Sequence, residues 1–567
     1  MTTLEDRWNR SYDPAVSRHL TYPSGSLVDA FDTAARTYAS KPALDFFGQR
    51  TSYADLAEQV EHAAAALHEL GVGPGSMVAL LMPTCPQHVV AFYAVLRCGA
   101  TVVEHNPLST ASELEHVFAD HGAQVAIVWD AAAEKVATLA ADVRPGVVVA
   151  VNLIEEMPLS KRLLLRLPLK KARASRDQLS KPAPADAMPF SQLLRRAAKA
   201  PADLRPQPSD VALLLYTSGT TGAPKGVPLT HANLIATTTQ SLEWVTPLVP
   251  GEEVFMACLP LFHVFGCSLS MNAGLSAGAM IHLIPKPETG LILDAINRRT
   301  PTTMIAVPPI FERLVEAAKK DGVSLAGIRT GIAGAMPLRP ELITSWEDAT
   351  GGLLIEGYGL SECSPIVAGN PVNASRAAGS IGVPFPDTQV RLADPEDLAR
   401  DVELGEPGEI LVTGPQVFSG YRNLPQETEA SFFEGWFRTG DIATADEDGF
   451  LRIVDRLKEI IISGGFNVYP SEVESVIRGL DGIDDVAVVG LIDDHGTEEV
   501  VAAIVTADGS APDAEQLRLV LKEKLSAYKV PRRFVVVAEL PRNEMGKVLR
   551  RQVRKQLGDG GSSRQDA

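Results

Sequence analysis

Apolar and polar positions alternate in a regular way over the first 130 residues. Between 55 and 70, apolar side chains recur at the spacing of a helix, and Gly71 follows as a stop. Strand-like apolar runs follow at 78–82, 101–103 and 125–129, and further helical patterns lie at 88–97 and 113–120. Strands that alternate with helices predict a parallel α/β architecture.

One long stretch, from Val254 to Pro285, carries no formal charge and has the length of a membrane span. It also contains Pro260, His263, Asn272 and several glycines and serines. A spanning helix needs sustained apolarity rather than a mere lack of charge. We therefore predict a buried segment of the core, with membrane insertion as the alternative.

The pattern of predicted elements changes at Asp455. Strand-like runs at 410–412 and 450–454 precede this point. After it, segments at 470–478, 486–491, 500–505 and 515–525 predict a small α/β domain of about a hundred residues. The predicted domains are 1–455 and 456–567, and the glycine- and serine-rich tail from about 558 is expected to be disordered.

The charge and the cysteine content argue against several classes of function. In 567 residues, 52 Lys and Arg against 70 Asp and Glu give a net charge of −18, which disfavours general nucleic-acid binding. The five cysteines form no CxxC pair, as expected of reduced cytosolic thiols rather than disulfides or structural zinc. The charged N-terminus does not resemble a signal peptide, so we predict a cytoplasmic protein.

A basic segment interrupts this acidic chain. Between Lys161 and Arg176 there are seven basic residues, no acidic ones and several leucines. One interpretation is that residues 157–178 lie on an anionic membrane, which would place the protein peripherally on the inner face. The alternative is a solvated insertion loop, because Pro168 interrupts any continuous amphipathic helix.

A glycine- and hydroxyl-rich loop at 216–226 follows an apolar run at 211–215, which we predict to be a strand. Glycines let the backbone present N–H groups to phosphate oxygens. Lys225 is followed by Gly226 rather than Ser or Thr, so this is not a Walker P-loop. We predict a phosphate-binding loop of another kind, formed by Thr217, Ser218, Gly219, Thr220, Thr221, Gly222 and Lys225.

Four further motifs lie downstream: Glu-Gly-Tyr-Gly-Leu-Ser-Glu at 356–362, Gly-Trp-Phe-Arg-Thr-Gly-Asp at 435–441, Asp-Arg-Leu-Lys-Glu at 455–459 and Pro-Arg-Asn-Glu-Met-Gly-Lys at 541–547. In this order and spacing, the set resembles the adenylate-forming superfamily of acyl-CoA synthetases, peptide-synthetase adenylation domains and luciferases. The resemblance extends from about Leu27 to Arg554. Around 379–382 and 463–470 the chain is most similar to bacterial long-chain fatty acid–CoA ligases.

The resemblance implies an α/β fold: a large N-terminal domain of parallel α/β subdomains with a β-barrel-like part, and a small mobile α/β C-terminal domain. It also implies an ATP site in which Glu362 and Thr217 hold Mg²⁺ and Tyr358 stacks on adenine. Ser361 stands where the family commonly has Thr, and both are hydroxyl donors. The other implied nucleotide contacts are Gly334, Ala335, Met336, Glu356, Gly357, Gly359, Asp441 and Arg456.

Two steps of chemistry are implied as well. Lys547 would neutralise charge while the acyl carboxylate meets the α-phosphate, with Lys225 at the phosphates. The small domain would then rotate about Lys458, so that Gly464 and Gly465 line a channel for CoA. His263 would orient the acyl carboxylate beside an apolar tunnel wall, and the alternative is a satisfied core histidine.

The predicted activity is therefore ATP-dependent ligation of a medium- or long-chain fatty acid to CoA, releasing AMP and pyrophosphate. An acyl-AMP ligase that serves a carrier protein and a CoA ligase for aryl or other acids are alternatives with the same chemistry. A membrane-surface lipid-binding protein that has lost catalysis belongs to a different class. The chemistry is redox-neutral and implies no flavin or nicotinamide, and a homodimer is left open.

Overall fold

The computed structural model describes residues 3–195, 201, 204–217, 224–246, 248–463, 466–492, 498–507, 509–543 and 546–559. The chain forms two compact units. The larger unit comprises 11–389 and 413–435, and the smaller unit comprises 1–10, 390–412 and 436–567. The architecture is α/β, as predicted.

A nine-stranded sheet in the larger unit is parallel at its centre and antiparallel at its edges. Parallel strands buried on both faces are expected to be apolar, and the central ones are rich in Ile, Leu, Met and Ala. In spatial order the strands are Val383–Pro384, Ala368–Gly369, Leu353–Tyr358, Thr330–Ala333, Thr303–Ala306, Val254–Ala257, Met280–Leu283, Pro42–Phe46 and Gln49–Ser52.

A seven-stranded sheet in the same unit is parallel except at one edge, where the last two strands form an antiparallel hairpin. Its strands are, in spatial order, Met188–Pro189, Val147–Val151, Val125–Trp129, Met77–Leu81, Thr101–Glu104, Val211–Thr217 and Lys225–Thr230.

Helices join these strands, as parallel connections require. The α-helices of the larger unit are Leu27–Thr37, Tyr53–Glu69, Pro86–Arg97, Ala111–His121, Asp130–Ala137, Leu159–Leu165, Lys170–Leu179, Phe190–Leu194, His231–Trp244, Ala273–Ser276, Thr289–Arg298, Pro308–Asp321, Pro340–Thr350 and Pro425–Ala430. Shorter elements are the 3₁₀ turns Leu153–Glu156 and Ser361–Cys363, the π-helix Gly266–Asn272 and the strand Phe432–Phe433.

The smaller unit contains an antiparallel sheet. A three-stranded sheet and a short hairpin follow it. The strands are Gln389–Ala393, Gly408–Thr413, Trp436–Ala445, Leu451–Arg456, Ile461–Ser463, Phe466–Val468, Ile483–Ile492, Glu498–Thr506 and Arg533–Val536. The helices are Leu4–Ser11, Leu457–Glu459, Pro470–Arg478, Ala514–Lys524, Ala527–Lys529 and Arg550–Asp559.

The uncharged stretch from Val254 to Pro285 lies in the core, as predicted. It contains two buried strands with the π-helix and a short α-helix between them. Within the described ranges, no helix combines the length and the apolarity that crossing a bilayer requires.

The basic segment forms two short helices, Leu159–Leu165 and Lys170–Leu179, with Pro168 between them. The predicted interruption at Pro168 is therefore confirmed. The last helix ends at Asp559, within the tail predicted to be disordered. Residues 560–567 lie outside the described residues, and the tail and the domain boundary at 455/456 stay predictions.

Candidate functional site

Two adjacent strands of the nine-stranded sheet carry the residues predicted to contact adenine. Ala333 pairs with Glu356 in parallel register, so 334–336 and 357–359 leave the same edge of the sheet. A Cβ on Gly334 would lie 3.0 Å from the ring of Phe265 and 3.4 Å from the carbonyl oxygen of Gly357. Ligands of open α/β sheets bind at the carboxyl ends of the strands, which is where these residues lie.

At this edge of the sheet, the backbone adopts conformations that few residues other than glycine allow. Ala335 has a φ of +66°, which is uncommon for a residue with a Cβ, and Met336 follows it. A Cβ on Gly359 would lie 1.5 Å from the carbonyl oxygen of Pro365, so only glycine fits there. Tyr358 ends its strand partly buried, and its carbonyl accepts a hydrogen bond of 2.9 Å from the Val367 N–H.

Glu362 lies in the 3₁₀ turn that Ser361 begins, and its side chain is largely buried. Its Oε1 accepts a hydrogen bond of 2.9 Å from the Tyr421 hydroxyl. The Tyr421 ring also lies beneath Lys225, with 4.9 Å from Nζ to the ring centroid, and Lys225 pairs with Glu427. The structure thus brings Glu362 and Lys225 together through one tyrosine.

The two ends of the phosphate loop are fixed to each other and to a later segment. Thr217 pairs with Lys225 across the hairpin. The Arg422 N–H donates to the Gly226 carbonyl at 2.9 Å, and Asp120 accepts from the Tyr216 hydroxyl at 2.6 Å. The predicted loop residues Ser218, Gly219, Thr220, Thr221 and Gly222 lie outside the described residues.

His263 lies just before the π-helix. Its Nδ1 accepts a hydrogen bond of 3.2 Å from the Phe265 N–H, which leaves the proton of the neutral ring on Nε2. Burial lowers the pKa of His263 to about 4, so the ring is a neutral donor at physiological pH. Because Phe265 packs on Gly334, the His263 loop adjoins the predicted adenine wall.

Within the smaller unit, three predicted site residues lie close together. Arg456 Nε is 3.0 Å from Asp441 Oδ1, on paired strands. Burial lowers the pKa of Lys547 and the charge of Arg456 lowers it further, whereas Asp441 opposes these effects. Lys547 closes a tight turn in which Gly546 has a φ of +81°, and its N–H donates to Asn543 Oδ1 at 2.9 Å.

Lys458, the predicted hinge, is exposed in the 3₁₀ turn Leu457–Glu459. Arg550 contacts both flanks of this turn, because it pairs with Asp455 at 3.4 Å and with Glu459. Gly464 and Gly465, predicted to line a thiol channel, lie outside the described residues.

Sequence reasoning missed the segment 418–431, which supplies Tyr421, Arg422 and Glu427. These residues lie about two hundred positions from Lys225, and no spacing rule links such distant positions. The nearest signal is the pair Gly420-Tyr421 before a proline-initiated helix, which by itself indicates only a turn.

The available donors suit a hard cation that is also bound by a nucleotide. No group of three or more His, Cys, Asp or Glu with metal-ligand geometry occurs among the described residues. Glu362 offers a carboxylate and Thr217 a hydroxyl, an oxygen-only set. Mg²⁺ binds through one or two such protein ligands, with phosphates and water completing the shell.

Family models and known proteins match most of the chain. The family model described as AMP-binding enzyme matches residues 31–422, and the AMP-binding enzyme C-terminal domain matches 472–547. The chain is 35% identical to a long-chain-fatty-acid–CoA ligase of Yersinia pestis over 97% of this chain and 98% of that protein. It is 34% identical to a feruloyl-CoA synthase of an Amycolatopsis species, over 90% and 95% of the two chains.

A solved structure shows the same architecture. The structure of ATP-bound MatB from Rhodopseudomonas palustris aligns with a TM-score of 0.80 at 28% identity, covering 94% of this chain and 99% of that one.

Proposed function

Because the chain belongs to the AMP-binding enzyme family, we propose that it joins a medium- or long-chain fatty acid to CoA through an acyl-adenylate. The observation that carries the proposal is the convergence of Glu362 and Lys225 on Tyr421, beside the ends of the phosphate loop. An anion that suits Mg²⁺ and a cation that suits phosphate thus share one polar cluster, which supports the proposal. The full-length similarity to long-chain-fatty-acid–CoA ligases supports the acyl class.

In the first half-reaction, a carboxylate oxygen of the fatty acid attacks the α-phosphorus of ATP. The bond from that phosphorus to the bridging oxygen breaks, and pyrophosphate leaves. Lys547 supplies positive charge where negative charge develops, and Lys225 contacts the phosphates. The neutral His263 donates from Nε2 to orient the carboxylate. Mg²⁺, held by Glu362 and Thr217, would neutralise phosphate charge.

In the second half-reaction, the CoA thiolate attacks the acyl carbon, the thioester C–S bond forms and AMP leaves with the carboxylate oxygen. Tyr358 and the 334–336 backbone would hold adenine, while Asp441 would accept hydrogen bonds from the ribose hydroxyls. Lys458 is proposed as the hinge between the half-reactions, and Gly464 and Gly465 as the thiol channel.

The deciding experiment supplies purified protein with ATP, Mg²⁺, CoA and a panel of acids from acetate to C20, with ferulate as an aryl member. We expect AMP, pyrophosphate and acyl-CoA in equal amounts, with the highest kcat/KM for medium or long alkyl chains. AMP formation with ferulate alone would instead select an aryl ligase. Transfer to an acyl carrier protein but not to CoA would select the carrier alternative, and no AMP with any acid would refute the proposal.

We also propose that the segment 157–178 binds an anionic bilayer, where fatty acids partition. Its leucines Leu159, Leu163, Leu164, Leu167 and Leu169 are between 43% and 67% exposed. Lys170 and Lys171 begin a helix, where the helix dipole disfavours cations, so helix stability does not account for them. The segment is anchored at both ends, by Lys161 over the Phe47 ring and by the Trp129 side chain, which donates to the Leu179 carbonyl.

The lysine pair Lys319 and Lys320 provides a matched control, because these side chains are also adjacent and exposed on a helix. Lys170→Glu with Lys171→Glu should weaken binding to phosphatidylglycerol-containing vesicles at least tenfold, since each juxtamembrane charge contributes about 1 kcal/mol. Lys319→Glu with Lys320→Glu makes the same change in net charge and should have little effect. Equal losses in both variants, or equal binding to pure phosphatidylcholine vesicles, would contradict a specific basic surface.

A further inference from the structure

Tyr421 contacts both charged groups of the phosphate site. Its hydroxyl donates to Glu362 Oε1 at 2.9 Å, and the face of its ring lies 4.9 Å from Lys225 Nζ. These distances are those of a hydrogen bond and of a cation–π contact. One side chain therefore contacts an anion and a cation of the candidate site at the same time.

Tyr421 is itself held firmly. Its N–H donates to Thr428 Oγ1 at 2.9 Å, and its ring packs edge-on against Phe418 with 4.9 Å between centroids. The Phe418 N–H donates to the main-chain carbonyl of Glu362 at 2.8 Å. Gly420, the residue before Tyr421, has a φ of +143°, and a Cβ there would lie 2.4 Å from the Thr428 methyl group. This backbone position therefore requires glycine.

The hydrogen bond from Tyr421 to Glu362 has a charged acceptor. A neutral hydroxyl that donates to a carboxylate forms a charge-assisted hydrogen bond, which is stronger than one between neutral groups.

Lys225 has a second partner, and the two partners differ in kind. Glu427 is an anion that pairs with Lys225 and is half exposed, whereas the Tyr421 ring is neutral. A nucleotide phosphate competes with the Glu427 carboxylate for the ammonium group, but it does not compete with the ring face. The ring can therefore keep Lys225 in place while its anionic partner is exchanged.

We propose that Tyr421 is a positioning residue, which orients the Glu362 carboxylate toward the metal–nucleotide complex and keeps Lys225 aligned with the phosphates. This inference rests on the proposed function, because it assigns Glu362 to the metal and Lys225 to the nucleotide. It adds the segment 418–431 to a site that otherwise comprises Lys225 and the turn at 361–363.

Two substitutions separate the roles of the hydroxyl and the ring. Tyr421→Phe removes only the hydroxyl, so the Mg²⁺ concentration for half-maximal AMP formation should rise about tenfold, the usual size for a hydrogen bond to a charged group. Tyr421→Leu removes the ring as well, so ATP binding in EDTA should weaken a further two- to fivefold, as expected for a cation–π contact. The kcat at saturating Mg²⁺ and ATP should change less than either half-saturation value.

Tyr22→Phe is the matched control. The Tyr22 hydroxyl donates to Asp387 at 2.8 Å, so this variant also loses one partly buried tyrosine–carboxylate hydrogen bond, away from the phosphate site. It should lose similar thermal stability without changing Mg²⁺ dependence. Identical Mg²⁺ dependence in wild type, Tyr421→Phe and Tyr22→Phe would overturn the proposal.

A binding measurement keeps this test separate from the proposed activity. Mn²⁺ binding to the protein with α,β-methylene-ATP, followed by electron paramagnetic resonance, should weaken in Tyr421→Phe and not in Tyr22→Phe. If wild-type protein makes no AMP but shows this difference, the proposed function fails and the positioning role stands. If wild-type protein is active and the two variants bind Mn²⁺ equally, the positioning role fails. Should Tyr421→Leu not fold, Tyr421→Phe carries the test.

Discussion

Replacing Lys547 with alanine is expected to lower the rate of acyl-adenylate formation by about a thousandfold, the scale for loss of a preorganised charge at a transition state. The lysine is held by the hydrogen bond from its N–H to Asn543 Oδ1 and lies near the paired Asp441 and Arg456. Pyrophosphate exchange with ATP, measured without CoA, isolates this half-reaction. The melting temperature should change little, because Lys547 is only partly buried.

Lys555 gives the control, since it is exposed on the helix that follows the turn. Lys555→Ala should exchange pyrophosphate at the wild-type rate. A loss of less than tenfold in Lys547→Ala would show that this lysine does not supply the main positive charge of the adenylation step.

The pH dependence of adenylation reports on the same group. Because the pKa of Lys547 is lowered, its cation is lost at a lower pH than the 10.5 of an ordinary lysine. Exchange should therefore decline on the alkaline side with a midpoint below 10.5. In Lys547→Arg, which stays charged at any accessible pH, the remaining activity should lack this decline. His263, with a pKa of about 4, should add no acidic decline near neutrality.

Replacing Glu362 with glutamine should reduce kcat/KM for MgATP by about a hundredfold, in the range found when one preorganised electrostatic contact is removed from a reacting site. The amide keeps the size of the side chain and can still accept from Tyr421, so the change is mainly one of charge. Saturation curves for Mg²⁺ at fixed ATP should show the loss as weaker metal dependence. Binding of metal-free ATP in EDTA should weaken little or improve, because an anion has been removed.

Glu429→Gln makes the same chemical change at an exposed position of the helix Pro425–Ala430, close in sequence to Tyr421. It should leave the MgATP parameters at wild-type values. If both variants behave alike, Glu362 does not contact the metal–nucleotide complex, and the metal assignment is wrong.

Local patterns were sufficient to predict several elements of the fold. The segment 470–478, predicted only as part of a small α/β domain, is the helix Pro470–Arg478, which has proline at its start and an apolar stripe. The strand predicted at 125–129 is Val125–Trp129, a short β-branched run that is buried on both faces. By contrast, the order of strands within each sheet depends on contacts between distant parts of the chain, which no local pattern specifies.

Only part of the candidate site was predictable from the sequence. Lys225 and Glu362 stand in recognisable motifs, so each was predictable as a candidate from the chain alone. Tyr421 was not, because its role depends on being 2.9 Å from a carboxylate 59 positions earlier and beneath a lysine 196 positions earlier. Likewise, only the structure shows that a Cβ at position 359 would collide with the Pro365 carbonyl.

The π-helix at Gly266–Asn272 has a consequence for how this chain can vary in length. A π-turn contains one more residue than an α-turn, so deleting a single residue within 266–272 would allow ordinary α-helical winding. Each residue of an α-helix advances about 100° around the axis. A deletion within 266–272 is therefore absorbed by the change in winding and keeps the Phe265–Gly334 contact and the register of the buried strand Met280–Leu283, whereas a deletion in the adjoining helix Ala273–Ser276 would rotate its two flanks by about that angle.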